Sequence, residues 1–280
     1  SAMIRPYSYG KTYPTVSGIF SVVAPASITA ANISHKNGIS LRHASSDTGA
    51  LELRSLVLMN DHRFDEARQE IEKLLAQDPA NPVALGTLSD ALLELGRFDE
   101  AVAAAQRSAD VKPGSVAYVR ASYFRWLTGD RDGAKRFIRA ALDGRDRRDP
   151  EPAAWTFVEA AKIFWHEGDY DGADAVLAEA LRWVPDYAPA LVARGRVALS
   201  RQQPERAIAY LEQAYRMQPL PETAWLLADA RAMRGDVTGA EAERRRVVDA
   251  GRRGDRLTLA LFYAATNQSI DEAMRLIETE

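Results

Sequence analysis

The sequence predicts an all-α protein built from about seven helical hairpins. Seven alanines recur along the 280 residues at intervals of 34, 33, 39, 34, 33 and 33. Four of them are followed by a proline twelve residues later, and four are preceded by a glycine five residues earlier. Glycine accepts the positive φ of a helix C-cap and proline ends the following helix, so each period predicts a helix, a turn and a second helix. The alanines are Ala67, Ala101, Ala134, Ala173, Ala207, Ala240 and Ala273; the prolines are Pro79, Pro113, Pro185 and Pro219; the glycines are Gly96, Gly129, Gly168 and Gly235.

These periods divide the chain into an irregular N-terminal extension, residues 1–43, and a repeat array, residues 44–280. We read the array as one elongated domain, because stacked hairpins grow by adding neighbours. The 39-residue interval places its extra residues in a run rich in aspartate, arginine, glycine and proline, which predicts a loop break over 143–153. The predicted units lie near 48–81, 82–114, 115–148, 154–187, 188–220, 221–253 and 254–280.

The turns carry a further pattern, a short polar segment with one aromatic residue between the glycine and the alanine. Examples are GRFDEA at 96–101 and GDYDGA at 168–173. With these turns, the segments 82–115 and 188–221 resemble the tetratricopeptide repeat family, whose unit of about 34 residues has small residues at the helix crossing and a terminal proline. The matching positions are Leu85, Leu88, Leu92, Gly96, Phe98, Ala101 and Pro113 in the first segment, and Leu191, Gly195, Ala198, Ala207, Leu211, Ala214 and Pro219 in the second.

The resemblance covers roughly residues 48–280 and implies a right-handed superhelical solenoid. It also implies a concave groove lined by the first helix of each hairpin, used for protein–protein interaction. The family is defined by scaffold residues, so the resemblance does not name a ligand. The lysine and asparagine clamp by which one subgroup holds chaperone C-termini is not evident, because the corresponding positions hold Glu52, Leu56, Asp90 and Tyr123.

The composition argues against catalysis and against a nucleic-acid footprint. The 36 basic and 39 acidic residues leave a net charge of −3, and there are no cysteines. The four histidines are scattered, and no Gly-rich phosphate loop or Gly-x-Ser-x-Gly elbow appears. The basic cluster at 244–256 is interleaved with acidic residues, which indicates a solvated, ion-paired face. We therefore expect no enzyme, no cofactor, no metal, no nucleic-acid partner and no membrane insertion.

The first helices predict a groove whose centre is aromatic and basic. Aromatic rings supply contact area and cations fix a carboxylate or a backbone carbonyl, a mixture that suits an extended peptide or a partner's helix. The flanks differ, with Asp90, Leu93 and Glu94 on one side and Trp225, Asp229 and Phe262 on the other. Filling of the interface between successive hairpins is the competing role for the tryptophans. The candidate groove residues are Arg120, Tyr123, Trp126, Trp155, Lys162, Trp165, His166, Arg196 and Trp225.

The sequence thus predicts a non-enzymatic adaptor that binds a protein or peptide partner. One alternative is a self-assembling structural module, a homo-oligomer formed through residues 1–43 or the array ends. The other is a regulatory or substrate-presenting part of a larger bacterial enzyme or export complex. Its distinguishing sign would be a natural protein that continues past Glu280.

The N-terminal extension gives three further expectations. Ser1 and Ala2 read as a tag remnant. The apolar residues between Tyr7 and Ile33 are anchors with which the extension would dock on the repeats or on a neighbouring chain. The segment is too polar to span a bilayer. We expect a soluble protein of the bacterial cytoplasm or periplasm, the cytoplasm slightly favoured.

Overall fold

The computed structural model describes residues 48–60, 63–144, 148–253, 255–267 and 269–278. Those residues form fourteen α-helices and no strand. The prediction of an all-α helical repeat is confirmed, whereas the predicted extension at 1–43 lies outside the described residues. The helices are α1 (Thr48–Asn60), α2 (Phe64–Gln77), α3 (Pro82–Glu94), α4 (Phe98–Val111), α5 (Ser115–Leu127), α6 (Arg131–Asp143), α7 (Pro150–His166), α8 (Tyr170–Trp183), α9 (Ala188–Ser200), α10 (Pro204–Met217), α11 (Pro221–Met233), α12 (Val237–Arg253), α13 (Arg256–Thr266) and α14 (Ile270–Glu278).

The described chain forms two compact units, which divide within α7 between Ile163 and Phe164. The sequence predicts one elongated domain with a loop break over 143–153. In the structure α7 already begins at Pro150, because proline is well suited to the first turn of a helix, where its missing N–H costs no hydrogen bond. We call the two parts the 48–163 unit and the 164–278 unit.

Five of the described hairpin turns have a left-handed residue five positions before the periodic alanine. Gly96, Gly129, Gly168 and Gly235 have φ values of 73°, 82°, 77° and 87°. Gln202 holds the same position before Ala207 and also adopts positive φ, at 56°. A side chain with a Cβ is disfavoured in this conformation, so the turn before α10 is strained where the other four are not.

Three of these turns share a capping pattern that is not among the features predicted from the sequence. Asp130, Asp169 and Asp236 follow the turn glycine, and each carboxylate accepts a hydrogen bond from the backbone N–H three residues on, at 2.8, 2.9 and 2.9 Å. The donor is a glycine each time, and a Cβ there would lie within 2.5 Å of the carboxylate. Gly-Asp-x-x-Gly-Ala is thus a helix N-cap in which the second glycine makes room for the first-turn carboxylate.

The periodic alanines lie in the contact between the two helices of each hairpin. All seven are buried, five of them completely. Gly195 serves the same purpose opposite Leu211, where a Cβ would come within 2.5 Å of the leucine side chain. Small residues let the two helices of a hairpin approach closely, and this close packing fixes the helices relative to each other. The candidate site residues lie on other faces of the first helices.

Candidate functional site

The nine predicted groove residues fall into two sets, one in each compact unit. In the 48–163 unit, α5 carries Arg120, Tyr123 and Trp126, and α7 carries Trp155 and Lys162. In the 164–278 unit, the set is Trp165, His166, Arg196 and Trp225. The structure therefore presents two candidate sites, each on the first helices of its own unit.

Arg120 is a buried residue that joins α5 to α3. Its Nε donates to Oδ1 of Asp90 at 2.9 Å and its Nη2 donates to Oδ2 at 2.8 Å, with 9% and 15% of the two side chains exposed. The guanidinium lies against the backbone of Gly86, where a Cβ would be 2.6 Å from Nη1. This bidentate ion pair balances both charges, so the guanidinium of Arg120 is already paired with a carboxylate of its own unit.

Tyr123 and Trp126 form a stacked aromatic pair one turn apart on α5. Their ring centroids are 6.3 Å apart and the planes are inclined by only 13°. Tyr123 is buried and packs with Ile163, while Trp126 and Leu93 lie half-buried beside them. Trp126 is therefore the member of the pair that reaches the surface.

Two further carboxyl groups lie around Tyr123. Burial raises the pKa of Glu94 to about 7, and the negative charge of Asp90 adds to the shift. Glu159 is completely desolvated, which raises its pKa, and Lys162 opposes that shift by donating to Oε1 at 2.7 Å. Burial together with Glu94 and Glu159 raises the pKa of Tyr123. The group that we call the carboxyl cluster consists of Asp90, Glu94 and Glu159.

The candidate residues of the 164–278 unit make separate local contacts. Trp165 donates from Nε1 to Oγ of Ser200 at 2.8 Å and meets the His166 ring edge to face, with centroids 4.7 Å apart. Arg196 pairs with Glu222. Trp225 packs edge to face against Phe262, with centroids 5.5 Å apart. The rings of Trp165, His166 and Trp225 are partly exposed.

The structure changes how the predicted basic centre is understood. Each of its three cations pairs with a carboxylate of the same unit: Arg120 with Asp90, Lys162 with Glu159 and Arg196 with Glu222. Glu159 and Glu222 were missed by sequence reasoning. Arg120 follows Asp90 by 30 residues, one repeat less one helical turn, and this spacing could have indicated the pair. Trp155 is buried, with 7% of its surface exposed.

Within the described ranges, no group of histidine and acidic side chains is arranged to hold a metal ion. The helices of the same ranges are all too short or too polar to cross a membrane.

Comparisons with known proteins follow the same architecture. The sequence profile of the tetratricopeptide repeat matches residues 58–123 and, in a second form, residues 192–255. No curated protein matches the sequence.

Solved structures with a similar fold include three with low sequence identity. A chain of the APC/C hetero-tetramer Cut9-Hcn1 is 15% identical, with a TM-score of 0.59, and the match covers 74% of this chain and 41% of that chain. PilW, a widely conserved type IV pilus biogenesis factor, is 16% identical, with a TM-score of 0.56 and coverage of 71% and 91%. Human IFIT1, in a dimer with PPP-AAAA, is 16% identical, with a TM-score of 0.62 and coverage of 84% and 59%. The chain thus spans less than two thirds of two of these proteins, and the likeness concerns the fold.

The repeating helical hairpins, their left-handed turn residues and the two matched segments lead to one assignment: this chain is a tetratricopeptide repeat protein.

Proposed function

We propose that the chain is a non-enzymatic adaptor that binds a peptide or helix of a partner protein on the faces of its first helices. Tetratricopeptide repeats are protein–protein interaction scaffolds. The observation that carries the proposal is the stacked Tyr123–Trp126 pair, half-exposed at Trp126 and surrounded by charged groups. Buried aromatic anchors beside polar groups are the usual composition of an energetic centre in a protein interface.

The burial of the candidate residues separates two roles. Tyr123, Arg120 and Trp155 are buried and would position the face without offering much area to a partner. Trp126, Trp165, His166 and Trp225 are partly exposed, as are Lys162 and Arg196. We expect the partner to contact this second group, with Trp126 contributing most in the 48–163 unit because its ring is already stacked and loses little freedom on binding.

A selection from random peptides displayed on phage tests this proposal. The immobilised chain should retain peptides whose affinity falls when Trp126 is replaced by alanine, by about 2 kcal/mol for an interface anchor. Trp183→Ala is the matched control, because this tryptophan lies half-buried at the end of α8, a second helix. Circular dichroism would establish that both variants remain helical.

Retention of the same peptides by the parent and Trp126→Ala, with loss in Trp183→Ala, would contradict the placement of the site on the first helices. Failure to enrich any peptide over many rounds would contradict the adaptor proposal itself.

A second candidate, self-assembly, is favoured by one observation on α14. Ile270, Met274 and Ile277 lie at i, i+4 and i+7 and are 44%, 53% and 51% exposed, so they form an apolar stripe on one face of the last described helix. Such a stripe on two copies is self-complementary in the manner of a helical pair. Light scattering across a concentration series would show a dimer that Met274→Glu returns to monomer; a monomeric parent at every concentration would exclude it.

A further inference from the structure

The helix ends of the 164–278 unit lie at two opposite edges, because the two helices of a hairpin run antiparallel. The turn edge carries the turns from α9 to α10 and from α11 to α12, and the connection edge carries the links from α10 to α11 and from α12 to α13. Successive helices from α10 to α13 pack against each other, so both links lie at the same edge. The side chains that we assign to the connection edge are Arg216, Met217, Leu220, Arg252, Arg253 and Arg256.

The arginines of the two edges differ in their partners. At the turn edge, Arg201 pairs with Asp171, and Arg231 and Arg234 each approach Asp236 to 3.2 Å. The four arginines of the connection edge are all exposed, and none makes an ion pair or a side-chain hydrogen bond with any described residue. Positive charge is therefore compensated at the turn edge and left uncompensated at the connection edge.

Helix stability and internal pairing account for only part of this charge. Three of the four arginines lie in the last turn of α10 or α12, where the helix dipole favours a cation. Arg256 is the first residue of α13, where the dipole disfavours a cation, and the carboxylate of Asp255 accepts the N–H of Thr258 at 3.1 Å. Asp249 is an exposed acid one turn before Arg253, but the two side chains form no ion pair. The cluster thus offers its charge to a group outside the described chain.

Two exposed apolar side chains lie among these arginines. Met217 is 48% exposed and Leu220 is 41% exposed, on either side of the link from α10 to α11. Arginine and methionine are enriched in protein–protein interfaces. A nucleic-acid backbone would satisfy the arginines but leave both apolar side chains without a contact. A membrane surface would gain little from them, because even a myristoyl chain, with far more hydrocarbon, gives only marginal binding.

We infer that the connection edge binds an acidic segment of a partner protein, whose carboxylates pair with the four arginines and whose apolar side chains contact Met217 and Leu220. A guanidinium presents two parallel N–H donors to a carboxylate, so each arginine can fix one acid of the segment. These residues belong to helix ends and not to the faces of the first helices. The inference therefore goes beyond the proposed binding at Trp126 and gives the 164–278 unit an interaction surface of its own.

Fluorescence anisotropy with two labelled peptides tests the inference. One synthetic peptide consists of glutamate and leucine, and the other has glutamine in place of each glutamate. The parent should bind the acidic peptide about tenfold or more tightly than the glutamine peptide, with an affinity that falls as salt is added. The double variant Arg216→Gln, Arg253→Gln should remove most of this preference.

The matched control is the double variant Arg136→Gln, Arg139→Gln. Both arginines are exposed on α6 and make no ion pair with a described residue, and no large apolar side chain is exposed between Arg131 and Asp143. The control removes the same two positive charges from the chain, so it should keep the preference for the acidic peptide. Circular dichroism would establish that both double variants remain helical.

The remaining outcomes overturn the inference or separate it from the proposed function. Equal affinity of the parent for the two peptides, or an equal loss in the two double variants, overturns it. Tighter binding of an oligothymidylate or of phosphatidylserine vesicles than of the acidic peptide would assign the edge to phosphate groups and also overturn it. Trp126→Ala should leave the affinity for the acidic peptide unchanged, and a loss there would place the peptide elsewhere. Failure of the phage selection contradicts the adaptor proposal and leaves the anisotropy result standing.

Discussion

The two compact units use ion-paired arginines in different ways, Arg120 being buried and Arg231 half-buried. In the 48–163 unit, Arg120 links one first helix to the next, α5 to α3, on the face that carries the aromatic pair. In the 164–278 unit, Arg231 on α11 has three acids around it, Glu212 at 2.8 Å, Asp236 at 3.2 Å and Glu243 at 3.5 Å. Glu212 lies on α10, Asp236 lies in the turn after α11, and Glu243 lies on α12. Arg231 therefore links α11 to the second helix of its own hairpin and to the second helix of the preceding hairpin.

The two arginines differ in how completely the neighbouring acidic side chains are paired. Around Arg231 the acids are consumed by a network, to which Arg246 and Arg234 also contribute. Around Arg120 the bidentate pair is closed, and Glu94 is left over beside it. The ion pairs around Arg231 support the fold, whereas burial and the neighbouring charge of Asp90 raise the pKa of Glu94.

Removal of Arg120 should produce the largest effect. Arg120→Ala leaves Asp90 buried without a counter-charge, which costs about 3 to 5 kcal/mol of unfolding free energy. Arg196→Ala is the matched change in the other unit, and it should cost under about 1 kcal/mol because that pair is far more exposed. Urea unfolding of both variants measures the difference. Equal losses would show that burial does not distinguish the two pairs.

Gly86→Ala should disturb the same pair by steric means. The added methyl group would lie 2.6 Å from Nη1 of Arg120, and the guanidinium cannot move away without breaking its bonds to Asp90. Although alanine favours a helix, overpacking dominates, and we expect a net loss of about 1 to 2 kcal/mol. In an Arg120→Met background the substitution should become neutral or stabilising; an unchanged penalty there would mean that the guanidinium is not the obstacle.

Glu94 gives the 48–163 unit a pH dependence that Glu94→Gln should abolish. Its pKa is about 7 in the folded protein and near the ordinary glutamate value of about 4.3 when unfolded, so the folded state binds the proton more tightly. Its stabilising contribution is therefore complete below about pH 4.3 and is lost as the pH rises through 7. Above pH 8, Glu94→Gln should be more stable than the parent by about 1 to 2 kcal/mol, allowing for partial exposure.

The measurement is the difference in the free energy of urea unfolding between the parent and Glu94→Gln across this pH range. Glu100→Gln is the control, because Glu100 is an exposed carboxylate on α4 that pairs with Arg97. A constant difference at all pH values would contradict the raised pKa.

The sequence predicts the scaffold much better than it predicts the site. The periodic alanines and the turn glycines, such as Ala134 and Gly129, are determined by backbone geometry and close packing, and these requirements recur in successive hairpins of the described chain. The partners of Arg120 and Lys162 depend on which carboxylates the packing of the helices brings within reach. These pairs do not follow the repeat, so no periodic pattern in the sequence indicates them. Glu159 looked like an ordinary helix residue, because its burial results from the packing of its unit and has no local signature.

Gln202 tests the turn rule at the one equivalent position where a described turn lacks glycine. Its φ of 56° is left-handed, so Gln202→Gly should relieve strain and raise the unfolding free energy by up to about 1 kcal/mol. Gly168→Ala is the reverse change in the same unit and should lower it by a similar amount, since a Cβ there meets open space and only the backbone conformation is penalised. Thermal unfolding of the pair gives the comparison. If Gln202→Gly is destabilising, the Gln202 side chain makes a native contact that stabilises the protein by more than the backbone strain costs. The turn before α10 would then differ from the other turns through a specific contact and would not simply be a less stable version of them.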